Sequence, residues 1–404
     1  SRTPRRRSNR LLETMKILVL DTIHGGAVLA EALAAAGHEV DAVDVYRGIE
    51  GIPAEAAATK RYDLVVAPVH LDPAHPLLGR APRAITHHEA VGLLLLAGGR
   101  PSPFVEITGT RGKTTTAAAL AHVLPGPGVL HTSMGTFVYP ERRLLWKRSI
   151  TPASTLAAAA EARKIGGWCV AEESLGVSGA GDLAVLTSGD DYLFAAGTKH
   201  AFAEKVRSLA RAPRALVPPG VSVPSARDAG EIAAVAGTVC TCRSGGVEGQ
   251  FENPLLALDG YRTPLQLAAA AASLLGADPS GLACFRPLPG RMAASWRGGT
   301  LVVDVASSGA CRQVALDAAA YARALDGKAP VVLVIGTEAQ TICEGFPEKE
   351  VAATVDAVRP DATVLVGDYP GLAGRRAADL AAGYALAEHL AGGGTIILAV
   401  KTWR

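Results

Sequence analysis

At 404 residues the chain is longer than one hydrophobic core normally organises, so two or three domains are expected. It is 49% hydrophobic but only 5% aromatic, with alanine and glycine carrying much of the count, which is an α/β composition. A formal net charge of +2 argues against a nucleic-acid groove, and no apolar run approaches the roughly 20 residues of a membrane helix, so neither nucleic acid nor a membrane is an expected partner.

Residues 1–14 carry Arg2, Arg5, Arg6, Arg7 and Arg10 ahead of Met15 and read as a disordered extension. A first block, 15–100, opens with a strand at 17–20. The turn Asp21-Thr22-Ile23-His24-Gly25-Gly26 leads from it into a helix at 27–36. Further strands at 40–45 and 64–67 give a small parallel βαβ domain, Rossmann-like in outline. It lacks the G-x-G-x-x-G fingerprint, so NAD is not implied. Gly98 to Pro103 reads as a linker. A second block, 101–289, has predicted strands at 104–107, 168–171, 183–186 and 215–217, and helices at 114–123, 154–164, 198–210 and 263–275. A third, 290–404, follows the turn Leu288-Pro289-Gly290-Arg291. Its four apolar strands, at 301–304, 331–335, 363–366 and 395–400, alternate with helical stretches as in a doubly wound sheet. The six cysteines follow no signal peptide, so a cytoplasmic location is expected. Cys240 and Cys242 form a lone C-x-C pair, a weak metal signal, and are expected to be buried small hydrophobes.

The run Ile107 to Thr116 is a phosphate-binding loop between a strand and a helix. Gly109 and Gly112 let backbone N–H groups of Thr108, Thr110, Arg111 and Thr115 and their neighbours face phosphate oxygens at the positive end of the helix. Lys113 can reach the β and γ phosphates, and the Thr114 hydroxyl can ligate Mg²⁺. The strict pattern wants glycine where Ile107 stands. Glu172 and Glu173 follow a strand, where ligands gather in such sheets, and one of them can complete the Mg²⁺ shell. Asp190, Asp191 and the Tyr192 region offer more oxygen ligands. Lys205 lies on a helix, and Asp304 ends a strand, where it can hold a ribose or cap the turn.

These positions together resemble the Mur ligases, the superfamily that includes the peptidoglycan amino-acid ligases and folylpolyglutamate synthase. Their loop T-G-T-(N/R/K)-G-K-(S/T) is matched by Thr108 to Thr114, including the missing first glycine. Gly135-Thr136, Thr151-Pro152, Glu173 as the metal-binding glutamate, Gly290-Arg291 and Asp304 match further family motifs in order. The resemblance implies a central P-loop ATPase-type domain, a C-terminal Rossmann-like domain closing over ATP, and catalytic roles for Lys113, Glu173 and Arg291. It makes Arg291 and Asp304 further ATP contacts, and Lys205 a lysine that many members carbamylate. Where the family has histidine after the acidic pair, this chain has Tyr192.

The turn at 21–26, Thr86-His87-His88-Glu89, the segment 174–179 and the terminal Lys401-Thr402-Trp403-Arg404 are similar to the coenzyme F-430 synthetase branch. What that implies is ATP- and Mg²⁺-dependent activation of a propionate on a nickel tetrapyrrole, followed by closure of a carbocyclic ring through a carbon–carbon bond. His24, Gly25, His87 and His88, with His70, become candidate substrate contacts, and Arg47, Arg80, Arg83 and Arg100 candidate partners for its carboxylates. The enzyme is expected as a monomer or homodimer. The alternatives are an amide-forming Mur ligase or folylpolyglutamate synthase-like enzyme, and a non-catalytic P-loop switch protein.

Overall fold

Parallel strands buried on both faces need near-continuous apolar runs, and two such runs form the centre of the first sheet of this computed structural model. It describes residues 14–307, 309–325, 327–338 and 346–402. The predicted extension at 1–14 therefore falls outside the described residues except for Thr14, as do Ser308, Cys343, Trp403 and Arg404.

The first sheet is parallel, in the order Glu39–Val43, Lys16–Leu20, Leu64–Ala67 and Ala84–Thr86. The last strand has three residues and no pattern legible in the sequence, yet it places the helix His87–Gly98. Thr86 caps that helix: its hydroxyl accepts from Glu89 N at 3.1 Å while Glu89 Oε2 accepts from Thr86 N at 2.8 Å. His87 and His88 are thereby fixed in the first helical turn.

An eight-stranded sheet follows, in the order Ala226–Asp228, Ala215–Val217, Leu183–Leu186, Phe104–Thr108, Trp168–Glu172, Gly128–Thr132, Gly135–Tyr139 and Arg143–Trp146. Its first six strands run parallel, and Gly135–Tyr139 runs antiparallel to both of its neighbours. The phosphate loop leaves a central strand, Phe104–Thr108, for the helix Lys113–Val123. The helix predicted at 198–210 begins at Ala201, because Leu193–Phe194 and Lys199–His200 pair as a short ribbon. A three-stranded sheet, Ala233–Ala236, Val239–Ser244 and Val247–Glu252, was absent from the sequence reading. Cys240 and Cys242 lie fully buried on it with sulfurs 3.8 Å apart. The third large sheet orders Ala293–Arg297, Thr300–Asp304, Thr395–Lys401, Val331–Thr337, Ala362–Val366 and Arg375–Ala377. Only its first strand is antiparallel.

The chain divides into two compact units: the chain through Ala236 with 240–251 and 263–282, and then 237–239, 252–262 and 283–404. The first two sheets share the first unit, although the sequence reading separated them at residue 100. The reason is a continuous core. Ile17, Val19 and Leu29 of the first sheet's layer cluster with Val91 and Leu95, and these with Ala158, Ala162, Phe104 and Val129. In the second unit the core sets Val302, Val332, Val334, Ile396 and Leu398 against Leu380, Ala387 and Ala391.

Leu95→Ala, which empties the middle of the shared core, is expected to cost about 2–5 kcal/mol. Urea unfolding checks this, and the first two sheets should still melt in one transition; a separate early transition for the first sheet would refute the shared core.

Candidate active site

Gly109 has φ 153° and an added Cβ would sit 2.0 Å from Thr187 Oγ1, so the loop can approach the neighbouring strand end only with glycine there. Gly112, at φ 80°, turns the chain into the helix Lys113–Val123. Ser188 Oγ accepts from Thr110 N at 3.1 Å, and Thr187 Oγ1 donates to Arg111 O at 2.5 Å. The loop is thus held from the end of Leu183–Leu186 and leads into the N-terminus of the helix Lys113–Val123, the end of a helix that favours an anion. Thr108 and Thr115 are buried at its two ends. Lys113 Nζ donates to Gly109 O at 3.0 Å, folding back over the loop that it would share with phosphate.

The two adjacent glutamates separate. Glu172 Oε2 accepts from Thr114 Oγ1 at 2.9 Å and from Ser133 N at 3.1 Å, and Glu172 Oε1 lies 4.0 Å from Lys113 Nζ. A carboxylate and a hydroxyl at this spacing at the phosphate end of the loop are a donor set suited to Mg²⁺. Glu173, assigned to the metal by resemblance, is not brought to Thr114. It is fully buried, 3.9 Å from His88 Nε2. The physical cause is the strand's two-residue period, which sends successive side chains to opposite faces. Burial, reinforced by Glu106 beside it, raises the Glu173 carboxyl well above the usual carboxylate range.

Lys205, on the helix Ala201–Leu209, is 1% exposed and donates to Thr110 Oγ1 at 2.8 Å. Burial and the nearby Lys113 push its ammonium down to about 8. Asp190 Oδ2 pairs with Arg111 Nε at 2.8 Å. Asp191 accepts from the backbone N–H of Tyr192 and Phe202 at 2.9 Å each and meets His200 Nδ1 at 2.6 Å. It therefore fastens the start of the helix Ala201–Leu209. The Tyr192 ring lies 5.1 Å from Lys205 Nζ, a cation–π contact in place of a metal ligand. The histidine that the acidic pair lacks next in sequence arrives instead as His200, and nothing in the local motif announces it.

A cavity of about 240 Å³ in the same unit is lined by His24, Pro68, Val69, His70, His87, His88, Thr151, Pro152, Ser174 and Leu175. Two of the histidines serve the backbone: His87 Nε2 meets Leu20 O at 3.0 Å and His88 Nε2 meets Ser174 O at 2.9 Å. Burial holds both neutral, lowering them to about 4 and about 3. His24 and His70 converge instead on the buried Asp21. Gly25 and Gly26 shape this turn, because an added Cβ would reach Thr151 Oγ1 at 2.7 Å and Asp21 O at 1.8 Å respectively. Arg47, Arg80 and Arg83 are not part of the lining, and Arg100 is paired with Asp182 at 2.7 Å.

In the second unit Arg291 Nη1 donates to Ser307 Oγ at 2.6 Å, and its carbonyl accepts from the Tyr261 hydroxyl. Gly290 is required by a Cβ position 2.6 Å from Ala306 O. Asp304 Oδ1 accepts from Ala306 N at 3.0 Å at the end of its strand.

The fold has solved counterparts among ligases. A UDP-N-acetylmuramoylalanyl-D-glutamyl-2,6-diaminopimelate–D-alanyl-D-alanyl ligase from Acinetobacter baumannii superposes with a TM-score of 0.56 at 16% identity, covering 84% of this chain and 81% of that one. A ligand-free bifunctional folylpolyglutamate synthase/dihydrofolate synthase from Yersinia pestis gives 0.54 at 17%, over 78% and 91%. The fold is that of the Mur ligases, built on multiple Rossmann-like sheets. Residues 295–402 match the family model described as the C-terminal domain of coenzyme F430 synthetase CfbE. A coenzyme F(430) synthetase from Methanosarcina acetivorans is 32% identical over 96% of this chain and 99% of its own length. The chain belongs to the coenzyme F430 synthetase family of the Mur ligase superfamily, and is a ligase-type enzyme. Among the described residues no helix is long and apolar enough to cross a membrane.

The two glutamates should part in solution. Because the folded Glu173 carboxyl titrates above its unfolded value, its stabilising contribution is full below the unfolded value and is lost as pH rises through the folded one. Glu173→Gln should therefore melt near wild type at pH 5 and about 3 °C or more above it at pH 8.5. Calorimetry across that range checks the sign, and an alkaline loss in the variant would refute it.

Proposed function

We propose that the protein uses ATP to activate a propionate carboxylate of a nickel tetrapyrrole and closes a carbocyclic ring by carbon–carbon bond formation. The observation that carries the ATP half is Glu172 on the Thr114 hydroxyl beside Lys113, at the N-terminus of the helix that follows the glycine-rich loop. The substrate half is supported by the 32% identity to a protein named coenzyme F(430) synthetase.

A carboxylate is a poor electrophile. Attack of its oxygen on the γ-phosphorus breaks the bond to the β-phosphate oxygen, releases ADP and leaves an acyl phosphate. A ring carbon, having lost a proton, then attacks the acyl carbon and expels inorganic phosphate. Lys113 and the loop amides would offset charge on the transferring phosphoryl group. Thr114 and Glu172 would hold Mg²⁺, which supplies further charge neutralisation there when bound. Arg291 and Asp304 are proposed ATP contacts from the second unit. His24, Gly25, His87 and His88 would border the tetrapyrrole at the cavity in the first unit, with His87 and His88 acting through their neutral rings.

Lys205 is proposed to carry a carbamate. Its ammonium, lowered to about 8, supplies at neutral pH a small fraction of free amine, the form that adds to CO₂ with loss of a proton. The resulting anion would exchange repulsion between Lys205 and Lys113 for attraction.

Incubation with ATP, Mg²⁺ and the ring-opened nickel tetrapyrrole acid should release ADP and phosphate in equal amounts, with a shifted absorption spectrum. Lys113→Ala and Glu172→Gln should each lower the rate by on the order of 10²-fold or more. ADP release that requires an amino acid would instead establish an amide-forming ligase, and release without any carboxylate would establish a switch. For Lys205, ¹³C-bicarbonate should give a carbamate carbon resonance in wild type that is missing in Lys205→Arg; its equal presence in both would overturn the assignment.

A further inference from the structure

The first unit holds a cluster that the ATP chemistry does not use. Asp21 follows the strand Lys16–Leu20 at φ 72°, a left-handed conformation uncommon for a non-glycine residue. Its side chain is fully buried, with Oδ1 accepting from Ile23 N at 3.0 Å and His24 N at 3.2 Å. That leaves Oδ2, which lies 2.8 Å from His24 Nδ1 and 3.4 Å from His70 Nε2. His70 Nε2 is buried yet has no hydrogen-bond partner of good geometry. The three ligand atoms all lie within 4.8 Å of one another.

We propose that Asp21, His24 and His70 bind a divalent transition-metal ion of the zinc or nickel class, at a site distinct from the Mg²⁺ position at the phosphate loop. Two imidazole nitrogens and one carboxylate oxygen are the borderline donor set that these ions select, whereas Mg²⁺ and Ca²⁺ prefer oxygen alone. An ion about 2.1 Å from each ligand in tetrahedral geometry separates ligand atoms by about 3.4 Å. Asp21 and His70 already stand at that separation, 3.4 Å, and His24 must open from 2.8 Å. The rings are held in place: Tyr46 stacks on His70 at 5.9 Å and meets His24 edge-on at 5.6 Å, and the two imidazoles meet at 4.9 Å. Oδ1, fixed by two backbone amides, acts as the outer anchor that orients the ligating oxygen.

The neighbouring histidines sharpen the assignment. His87 and His88 are committed to the carbonyls of Leu20 and Ser174, so the four cavity histidines divide into two structural and two ligating. His24 and His70 both border the cavity, so three protein ligands leave an open coordination position towards it. A substrate carboxylate would fill that position. This last role rests on the polycarboxylate reading above, while metal binding itself does not.

Full-length protein stripped with a chelator and dialysed is titrated separately with Zn²⁺ and Ni²⁺ by calorimetry and by competition with a chromophoric chelator. The expected result is one equivalent bound with micromolar or tighter Kd, undisturbed by millimolar Mg²⁺. Co²⁺ should give a visible absorption band of a low-coordinate site. His70→Ala and His24→Ala should each weaken binding at least about 100-fold, with circular dichroism confirming the fold; His70→Gln serves if alanine unfolds the loop. Lys113→Ala should bind the ion as wild type does, so loss of ATP turnover and loss of this site are read apart. No stoichiometric binding, or affinity unchanged in both histidine variants, overturns the proposal.

Discussion

The Glu172 carboxylate joins three elements that a parallel sheet otherwise leaves as separate loop ends. It closes the strand Trp168–Glu172, accepts the Thr114 hydroxyl from the helix after the phosphate loop, and accepts Ser133 N from beyond Gly128–Thr132. Lys113 sits at its other oxygen. A carboxylate that is 2% exposed needs such partners, because burying it unpaired would cost several kcal/mol. The phosphate loop is therefore preorganised by an acidic group that a bound cation would share. Glu106, buried one strand away, repeats the device: it accepts from the N–H groups of Ser178, Gly179 and Gly181 and fixes the segment that follows the cavity-lining turn.

Much of this was legible from residue order alone. The phosphate loop needs its glycines and lysine at fixed spacing, so its pattern stands in the sequence; the sheets declare themselves by apolar runs such as Ile17 to Leu20 and Val331 to Ile335. The choice between Glu172 and Glu173 was not legible, because both follow the same strand and only the phase of its alternation separates them. Short elements without a pattern escaped as well, among them Ala84–Thr86 and the ribbon at Leu193–Phe194. His200 escaped for another reason: it meets Asp191 across that ribbon, nine residues away, where no local motif records the pairing.

The histidines show the same limit from the other side. The resemblance grouped His24, His70, His87 and His88 as one class of candidate substrate contact. Their second ring nitrogens decide otherwise. A histidine whose N–H is given to a buried carbonyl and whose ring is desolvated stays neutral and stiff, which suits a cavity wall. One whose ring faces a buried carboxylate is oriented by it, with a nitrogen left for another partner. Both kinds line one cavity, and backbone geometry at Leu20 and Asp21 sorts them.

The turn Glu172-Glu173-Ser174-Leu175 couples that cavity to the phosphate loop. Glu172 holds Thr114, while two residues later Ser174 lines the cavity and its carbonyl fixes His88. Between them Glu173 is buried against His88, and Leu175 is held at φ 61°, so the turn has little freedom to relax. Thr151 of the adjacent loop lines the same cavity, with Gly25 packed on it and Ser174 N donating to Ile150 O at 3.1 Å. The cavity wall and the ligand of Thr114 thus belong to one turn. Under the proposed activation of a carboxylate by ATP, a carboxylate bound in the cavity and a phosphate bound in the loop would each lie against the same four-residue turn. In-line transfer between them requires such alignment to well under an ångström, which a hinge between two separately mobile loops would not supply.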